Sequence, residues 1–397
     1  MAIELNEKQR AGLEIAVDRY NKGYPYTCIA GYAGTGKSTL VSFIIAAIGV
    51  NPDEVGYTAY TGKAAMVLKQ KGCENAITCH KLLYNTKQKA DGSFIHIPKM
   101  SFDIPYQIIV VDEISMLPKT MWELLLKHHI YILALGDPGQ LPPVAKDEDN
   151  HVLDNPHVFL DEIMRQEDTS EIITWSMHIR EGNPLYDYSG KEVRVIDKMQ
   201  NKLAIARWAD QIICATNANR DLLNVGMRKA IFDVDDRFPV EGDRVICTRN
   251  NWDKINGRGD CLINGMCGTI HHIIKYPIHI PYIFDGCGIQ ADFLPDFYDD
   301  VEDKSQGDPY FRGLLMDYNI FMEGKPTITK ENFKKLHRFY KPEEFDFGYA
   351  ITCWKAQGSE YNKVLLYEED FPRGELHQRY LYSGITRARK KLVVIMK

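Results

Sequence analysis

The chain has 397 residues, 45% apolar and 26% charged, with a formal net charge of −6. That length makes two or more domains the default. The balance is that of an ordinary globular protein, and the mild acidity excludes a global attraction to nucleic acid, so any such site has to be a local groove.

No window of 18 apolar residues predicts a membrane span, and the N-terminus lacks the charged and apolar zones of a signal peptide. The nine cysteines are scattered. Several, Cys28, Cys214 and Cys353, lie in strand-like runs, which predicts buried thiols in a reducing compartment. Cys261, Cys267, His271, His272, His279 and Cys287 cluster loosely but lack the close Cys pairs of structural zinc sites, so packing or surface roles are expected of them.

In chain order, Asn6 to Tyr20 has a helical pattern that Asn6 is suited to cap. An apolar run, Tyr26 to Ala30, then enters Gly31-Tyr-Ala-Gly-Thr-Gly-Lys37-Ser38, a complete G-x-x-x-x-G-K-[ST] loop, and a second apolar run, Leu40 to Ile48, leaves it. Strand, loop and helix in that order form the context the motif requires. Backbone N–H groups around Gly34, Thr35, Gly36 and Thr39 are expected to cradle phosphates, Lys37 to reach the β/γ-phosphates, and Ser38 to ligate Mg²⁺. The continuous apolar run Ile108 to Val111 predicts a strand buried on both faces of a parallel sheet. It ends in Asp112-Glu113, where α/β sheets bind ligands. Asp112 is read as a Mg²⁺ partner and Glu113 as the base for water.

Strand and helix runs alternate to about Val144, the pattern of a parallel α/β layer. One piece interrupts them. Residues 84–100 carry Asp91-Gly92 before an alternating stretch, a hairpin signal. A second α/β region starts near residue 166. Its strands are expected at Gln211 to Ala215, Lys363 to Tyr367 and Leu392 to Met396. The stretch 264–341 is rich in Gly, Pro, Tyr, Phe and Asp with short apolar runs, and predicts a small inserted β-barrel. The expected domains are therefore 1–83 with 101–165, the hairpin 84–100, 166–263 with 342–397, and the barrel-like 264–341.

Five more segments accompany the two phosphate motifs: Tyr57 to Ala65; Thr78 to Leu83; Gly136-Asp-Pro-Gly-Gln-Leu-Pro-Pro-Val144; Tyr349 to Glu360, which includes Trp354-Lys-Ala-Gln-Gly-Ser; and Leu381-Tyr-Ser-Gly-Ile-Thr-Arg387-Ala388. In this order the set resembles a superfamily 1 DNA helicase of the RecD/Dda branch, across nearly the whole chain apart from the hairpin and the barrel. The Gly-Asp-Pro-Gly-Gln-Leu-Pro-Pro-Val and Lys-Ala-Gln-Gly-Ser-Glu segments carry the branch assignment. The resemblance implies two RecA-like P-loop domains with parallel sheets, the barrel being SH3-like. It implies ATP and Mg²⁺ as cofactors and ATP-driven 5′-to-3′ movement on single-stranded DNA. Single-stranded and 5′-tailed duplex DNA are the implied partners, with replication or recombination proteins besides, in a bacterial or phage-infected cytoplasm.

By the same resemblance Gln140 senses the γ-phosphate, while Arg165 and Arg387 point across the cleft at it, as a phosphoryl-transfer transition state requires. Two such Arg residues in one chain make a monomer sufficient. Gln9 is matched to an adenine contact and Gly358 to the nucleotide site. Thr58, Tyr60, Thr61 and His80 in the first domain, and Thr352, Trp354 and Lys355 in the second, are matched to nucleic-acid contacts. Pro142 stiffens the link from Gln140 to the DNA groove by fixing φ. The family usually has His at the place of Trp354; Trp retains base stacking but accepts no hydrogen bond. Phe94, near the hairpin tip, is a candidate wedge against the first base pair or a residue packing the hairpin on its own domain. Three alternatives remain open from the residues: an ATP-controlled nucleic-acid-binding switch, a 3′-to-5′ helicase, and a P-loop kinase or small GTPase, a metabolic kinase being expected to show little DNA stimulation of its ATPase; RNA in place of DNA is also open. A guanine-reading Asn-Lys-x-Asp element is absent from the sequence, against a GTPase.

Overall fold

The computed structural model describes residues 4–88, 94–143, 149–163, 170–197, 202–234, 238–280, 284–296, 298, 307–315 and 343–397. It resolves into two compact units. The first comprises Met1–Asn85, His96–Ala215 and Cys353–Lys397, the second Thr86–Ile95 and Thr216–Thr352.

The first unit opens with α1 (Glu7–Asn21), where the Asn6 side chain accepts from the Gln9 N–H and the Gln9 side chain accepts from the Asn6 N–H. This reciprocal pair satisfies two donors that a helix start leaves orphaned. The strands β1 (Tyr26–Gly31), β2 (Val55–Ala59), β3 (Ile77–Thr78), β6 (Ile108–Asp112), β7 (Tyr131–Gly136) and β8 (Val158–Leu160) follow, while the residues of β4 (Tyr84–Gln88) and β5 (Phe94–Pro98) divide between the two units. Six of them form one sheet in the order β3-β2-β6-β7-β1-β8, and neighbouring strands pair in parallel throughout. β4 and β5 pair with each other as a two-stranded sheet, and residues 89–93, which include Asp91 and Gly92, lie outside the described residues.

The sheet is covered on both faces, and the period of two is visible residue by residue. Ile108 and Val110 join Ile29, Leu40, Ile44 and Leu133 in one core, while Ile109 and Val111 join Cys28, Leu82, Trp122 and Ile132 in the other. A strand buried on two sides cannot alternate with polar residues, hence the continuous apolar run.

The other half of this unit carries β9 (Tyr188–Ser189), β10 (Val193–Ile196), β11 (Gln211–Cys214), β20 (Tyr361–Tyr367) and β21 (Ala388–Ile395). They stand in the order β11-β20-β21-β10-β9, parallel except for β9. Helices Glu171–Arg180 and Glu375–Ile385 pack on one another. Cys28, Cys214 and Cys353 are all buried, and burial pushes the Cys28 and Cys353 thiols up to about 12.

The second unit contains a helix, Asn217–Phe232, and a five-stranded antiparallel sheet. Its strands are β12 (Arg244–Cys247), β15 (Cys267–Ile280), β16 (Phe284–Pro295), β17 (Phe311–Leu315) and β18 (Phe345–Phe347), ordered β17-β16-β15-β12-β18. Two of these, β12 and β18, come from outside 264–341. Phe293 anchors the core, with ring centroids 5.1 Å from Phe345 and 6.2 Å from Phe311. Asp243, fully buried, accepts from Arg228 at 3.0 Å, from the Tyr349 hydroxyl at 2.9 Å and from the Val240 N–H at 2.8 Å. That set satisfies a buried carboxylate that would otherwise be costly.

Candidate functional site

The phosphate loop joins β1 to the helix Lys37–Ile48. Gly36, at φ 80°, caps that helix without any side-chain hydrogen bond. Gly34 is also left-handed, at φ 81°. Two such residues close together favour glycine, and a first turn without a side-chain cap leaves N–H groups suited to an anion. Lys37 Nζ donates to the carbonyls of Gly31 at 2.7 Å and Tyr32 at 3.0 Å, which holds the ammonium over the loop.

The loop forms one wall of a cleft of about 430 Å³ within the first unit. Gly34, Thr35, Gly36, Lys37, Ser38 and Thr39 line it from one side, with Asp112, Glu113 and Gln140 at the ends of neighbouring strands. From the other half of the unit come Gly358, Thr386 and Arg387, with Ile172, Ile173 and Ser176 of the helix Glu171–Arg180. Ser38 and Asp112 thus face one space. An oxygen donor and a carboxylate suit Mg²⁺, which takes few protein ligands and completes its shell with waters and phosphates.

Glu113 follows β6 in the left-handed region at φ 53°, and its N–H is held by Asp112 Oδ1 at 3.0 Å. Burial raises the Glu113 pKa above the usual carboxylate range, Asp112 adds to this, and Arg387 and Lys37 oppose it. A carboxylate tuned upward is a better proton acceptor near neutral pH. Asp137 is also buried and raised by burial, with Lys37 and the Tyr382 hydroxyl opposing.

Arg387 is 5% exposed. Its Nε and Nη1 donate to the carbonyls of Ser383 and Ser359, at 3.1 and 3.2 Å, and Nη2 to Thr386 Oγ1 at 3.1 Å. The guanidinium is therefore fixed from three sides at the cleft wall. Gly358, at φ 71°, lets its loop approach the first half closely, since a Cβ there would lie 2.8 Å from Ala64 Cβ. Arg165 lies outside the described residues.

Some expected contacts are differently employed. Thr58 is fully buried, and its hydroxyl donates to Cys79 Sγ at 3.3 Å, so it does not face nucleic acid. Gln9 is 2% exposed and does not line the cleft; its amide donates to the Thr35 carbonyl at 3.2 Å and accepts from Asn6. It braces the phosphate loop at Thr35. Thr61 caps the helix Gly62–Gln70, accepting from the Ala64 N–H at 3.2 Å.

Tyr60 and His80 lie together, ring centroids 5.7 Å apart, and His80 continues at 6.1 Å to both Tyr84 and His96. Desolvation, with His96 adding, lowers the His80 pKa and so favours the neutral ring. The Trp354 indole N–H donates to the Pro142 carbonyl at 3.0 Å. Lys355 is partly exposed on the same short helix, Cys353–Ala356. Thr352 ends a strand assigned to the second unit, and the side chain of Phe94 lies outside the described residues. Asp137 and Tyr382 were not singled out from the sequence, although both stand in the quoted Gly-Asp-Pro-Gly-Gln and Leu-Tyr-Ser-Gly segments.

Comparison with known proteins converges on this geometry. A family model described as an AAA domain matches residues 4–201, and one described as a UvrD-like helicase C-terminal domain matches residues 347–395. The chain is 25% identical to the ATP-dependent DNA helicase dda of Enterobacteria phage T4, over 97% of this chain and 98% of that one. It is 31% identical to the ATP-dependent RecD2 DNA helicase of Deinococcus radiodurans, over 93% of this chain but 46% of the relative, so it spans about half of that protein. Two solved structures share the fold: the Pif1 helicase from Bacteroides in complex with ADP-AlF3 and ssDNA (TM-score 0.55, 16% identity, 99% and 92% coverage) and the Pif1 helicase from Candida albicans (TM-score 0.51, 17% identity, 99% and 94% coverage). With a phosphate loop, paired acids and a basic wall gathered in one cleft, and with DNA helicase relatives aligned along nearly its whole length, the chain belongs to the superfamily 1 helicases of the Dda and RecD type.

Proposed function

We propose that this protein is an ATP-dependent 5′-to-3′ single-stranded DNA translocase that unwinds 5′-tailed duplexes. The observation that carries the reading is the cleft itself, where Lys37, Asp112, Glu113 and Gln140 of one α/β half face Arg387 and Gly358 of the other. Such a cleft ties hydrolysis to the spacing of two halves that each grip the strand. Ser38 and Asp112 would hold Mg²⁺, which would neutralise charge on the phosphates. Lys37 and the loop N–H groups position ATP, Glu113 accepts the proton of the attacking water, and Gln140 orients it. Arg387, and Arg165 with it, stabilise charge on the γ-phosphate oxygens.

On the nucleic-acid side, Tyr60, His80 and Trp354 offer stacking surfaces that every base satisfies, while Thr61, Pro142, Thr352 and Lys355 belong to segments that track the backbone. The β4–β5 hairpin, with Phe94, serves as the strand-separating pin. The antiparallel sheet of the second unit is the frame of the SH3-like barrel and guides the strand or receives a replication or recombination protein. One chain suffices for catalysis, and the setting is the bacterial cytoplasm.

Strand displacement with ATP and Mg²⁺, on matched duplexes bearing only a 5′ or only a 3′ tail, tests this. Unwinding of the 5′-tailed substrate alone is expected. Unwinding of the 3′-tailed one alone would overturn the polarity. DNA-stimulated hydrolysis without unwinding of either would leave an ATP-controlled switch.

A further inference from the structure

The helix Glu375–Ile385 contributes to the cleft by a route other than Arg387. Tyr382 is 1% exposed. Its hydroxyl donates to Asp137 Oδ2 at 2.6 Å and accepts from the Ala33 N–H of the phosphate loop at 3.3 Å. The other carboxylate oxygen, Asp137 Oδ1, accepts from the Gly139 N–H at 2.9 Å, and a Cβ on Gly139 would stand 2.9 Å from the Tyr382 ring. One residue further, Ser383 Oγ accepts from the Leu141 N–H at 3.0 Å, while the Ser383 carbonyl holds Arg387 Nε at 3.1 Å and Thr386 Oγ1 at 3.0 Å.

The same two residues therefore touch three things at once: the phosphate loop, the segment carrying Gln140, and the guanidinium of Arg387. We propose that Tyr382 is a positioning residue that seats the Asp137–Gln140 segment against the phosphate loop, so that hydrolysis responds to DNA held by the other half. The inference rests on the reading of the cleft as an ATPase site. It gives the phenol a reason to be buried beside a carboxylate: both pKa values are raised by burial, and the short bond between them satisfies two groups that would otherwise be stranded. Tyr382 touches no reacting atom. It sets where Gln140 stands, which geometry-dependent catalysis feels strongly.

Tyr382→Phe keeps the ring against Gly139 and removes only the hydroxyl. ATPase is measured with and without oligo(dT), alongside binding of a fluorescent ATP analogue and thermal unfolding. The ratio of DNA-stimulated to basal hydrolysis is expected to fall by about tenfold, a usual size for coupling between sites, with analogue affinity held within about threefold. A wild-type ratio in a folded Tyr382→Phe protein overturns the inference. Asp137→Asn attacks the bond from its other end and serves also should Tyr382→Phe not fold. A similar fall in the ratio supports the inference, and a double variant no worse than the poorer single one shows that both act through the one bond. Additive losses overturn it. Lys37→Ala separates the two levels: wild-type hydrolysis in that variant would remove the ATPase reading itself, whereas an inactive Lys37→Ala beside a normal Tyr382→Phe removes only the present inference.

Discussion

His377 and Glu368 show what a single pair contributes here. They stand 3.2 Å apart, each partly exposed. The Glu368 carboxylate raises the His377 pKa above 6.5, and the His377 ring holds Glu368 below 4.5. The imidazolium contribution is full below the unfolded His value and is lost as pH rises through the raised folded one. The carboxylate contribution is full above the unfolded Glu value and is lost as pH falls through the lowered one. Between 4.5 and 6.5 both are present. His377→Gln should therefore lower stability by about 1 kcal/mol near pH 5.5, with the gap to wild type closing as pH rises through the raised His377 value. Equal melting of the two proteins at the lower pH would show that the pair contributes nothing. Single residues were unevenly legible. Lys37, Asp112 and Glu113 stand in short local patterns, and all three line the cleft. Thr58 could not be placed in this way, because side chains alternate along a strand: Tyr57 packs toward one core, and Thr58 turns to the other face, where Cys79 waits.

Elements were legible where one rule governed them. β6 announced itself by an unbroken apolar run, since both of its faces are covered. The long strand Cys267–Ile280 reads in sequence as short pieces because a bulge lies between His271 and Ile274, with His272 at φ 55°, and the alternation loses its phase there. β9 and β10 gave too little pattern to be seen at two and four residues. The helix Glu7–Asn21 offers a test of packing at this scale. A Cβ on Gly12 would stand 2.6 Å from Val158 Cγ1 and 3.2 Å from Leu40 Cδ2. Gly12→Ala would ordinarily help a helix by up to about 1 kcal/mol. Here the crowding against β8 should outweigh that and cost about 1–3 kcal/mol. Denaturant unfolding decides the sign, and a stabilised variant would mean that Val158 moves aside freely.

At the scale of the molecule, the order of motifs along the chain was enough to expect two facing α/β halves, and the cleft gathers most of the residues expected at the nucleotide: Gly34 to Thr39, Asp112, Glu113, Gln140, Gly358 and Arg387. What the chain order did not disclose is which side chains tie the halves together, because partners such as Asp137 and Tyr382 are 245 residues apart and meet only in the fold. The residues proposed for nucleic acid form a set separate from the cleft lining. Lys37→Ala should accordingly abolish hydrolysis while changing the affinity for oligo(dT) by less than about threefold. Loss of DNA binding in the folded variant would merge the two sets into one.

The segment after Gln140 carries a last consequence. Pro142 and Pro143 have no N–H, so this stretch presents carbonyls alone beyond Leu141. Leu141 and Pro142 receive the Gln357 amide at 2.9 Å and the Trp354 indole at 3.0 Å. A strand edge with both donors and acceptors would zip along its partner and resist parting. Two discrete bonds to one-sided acceptors behave as a latch, undone and remade without unravelling either neighbour. Its grip is shared by Trp354 and Gln357 with Ser383, which accepts from the Leu141 N–H, so substitution at Trp354 or Gln357 should loosen it in part.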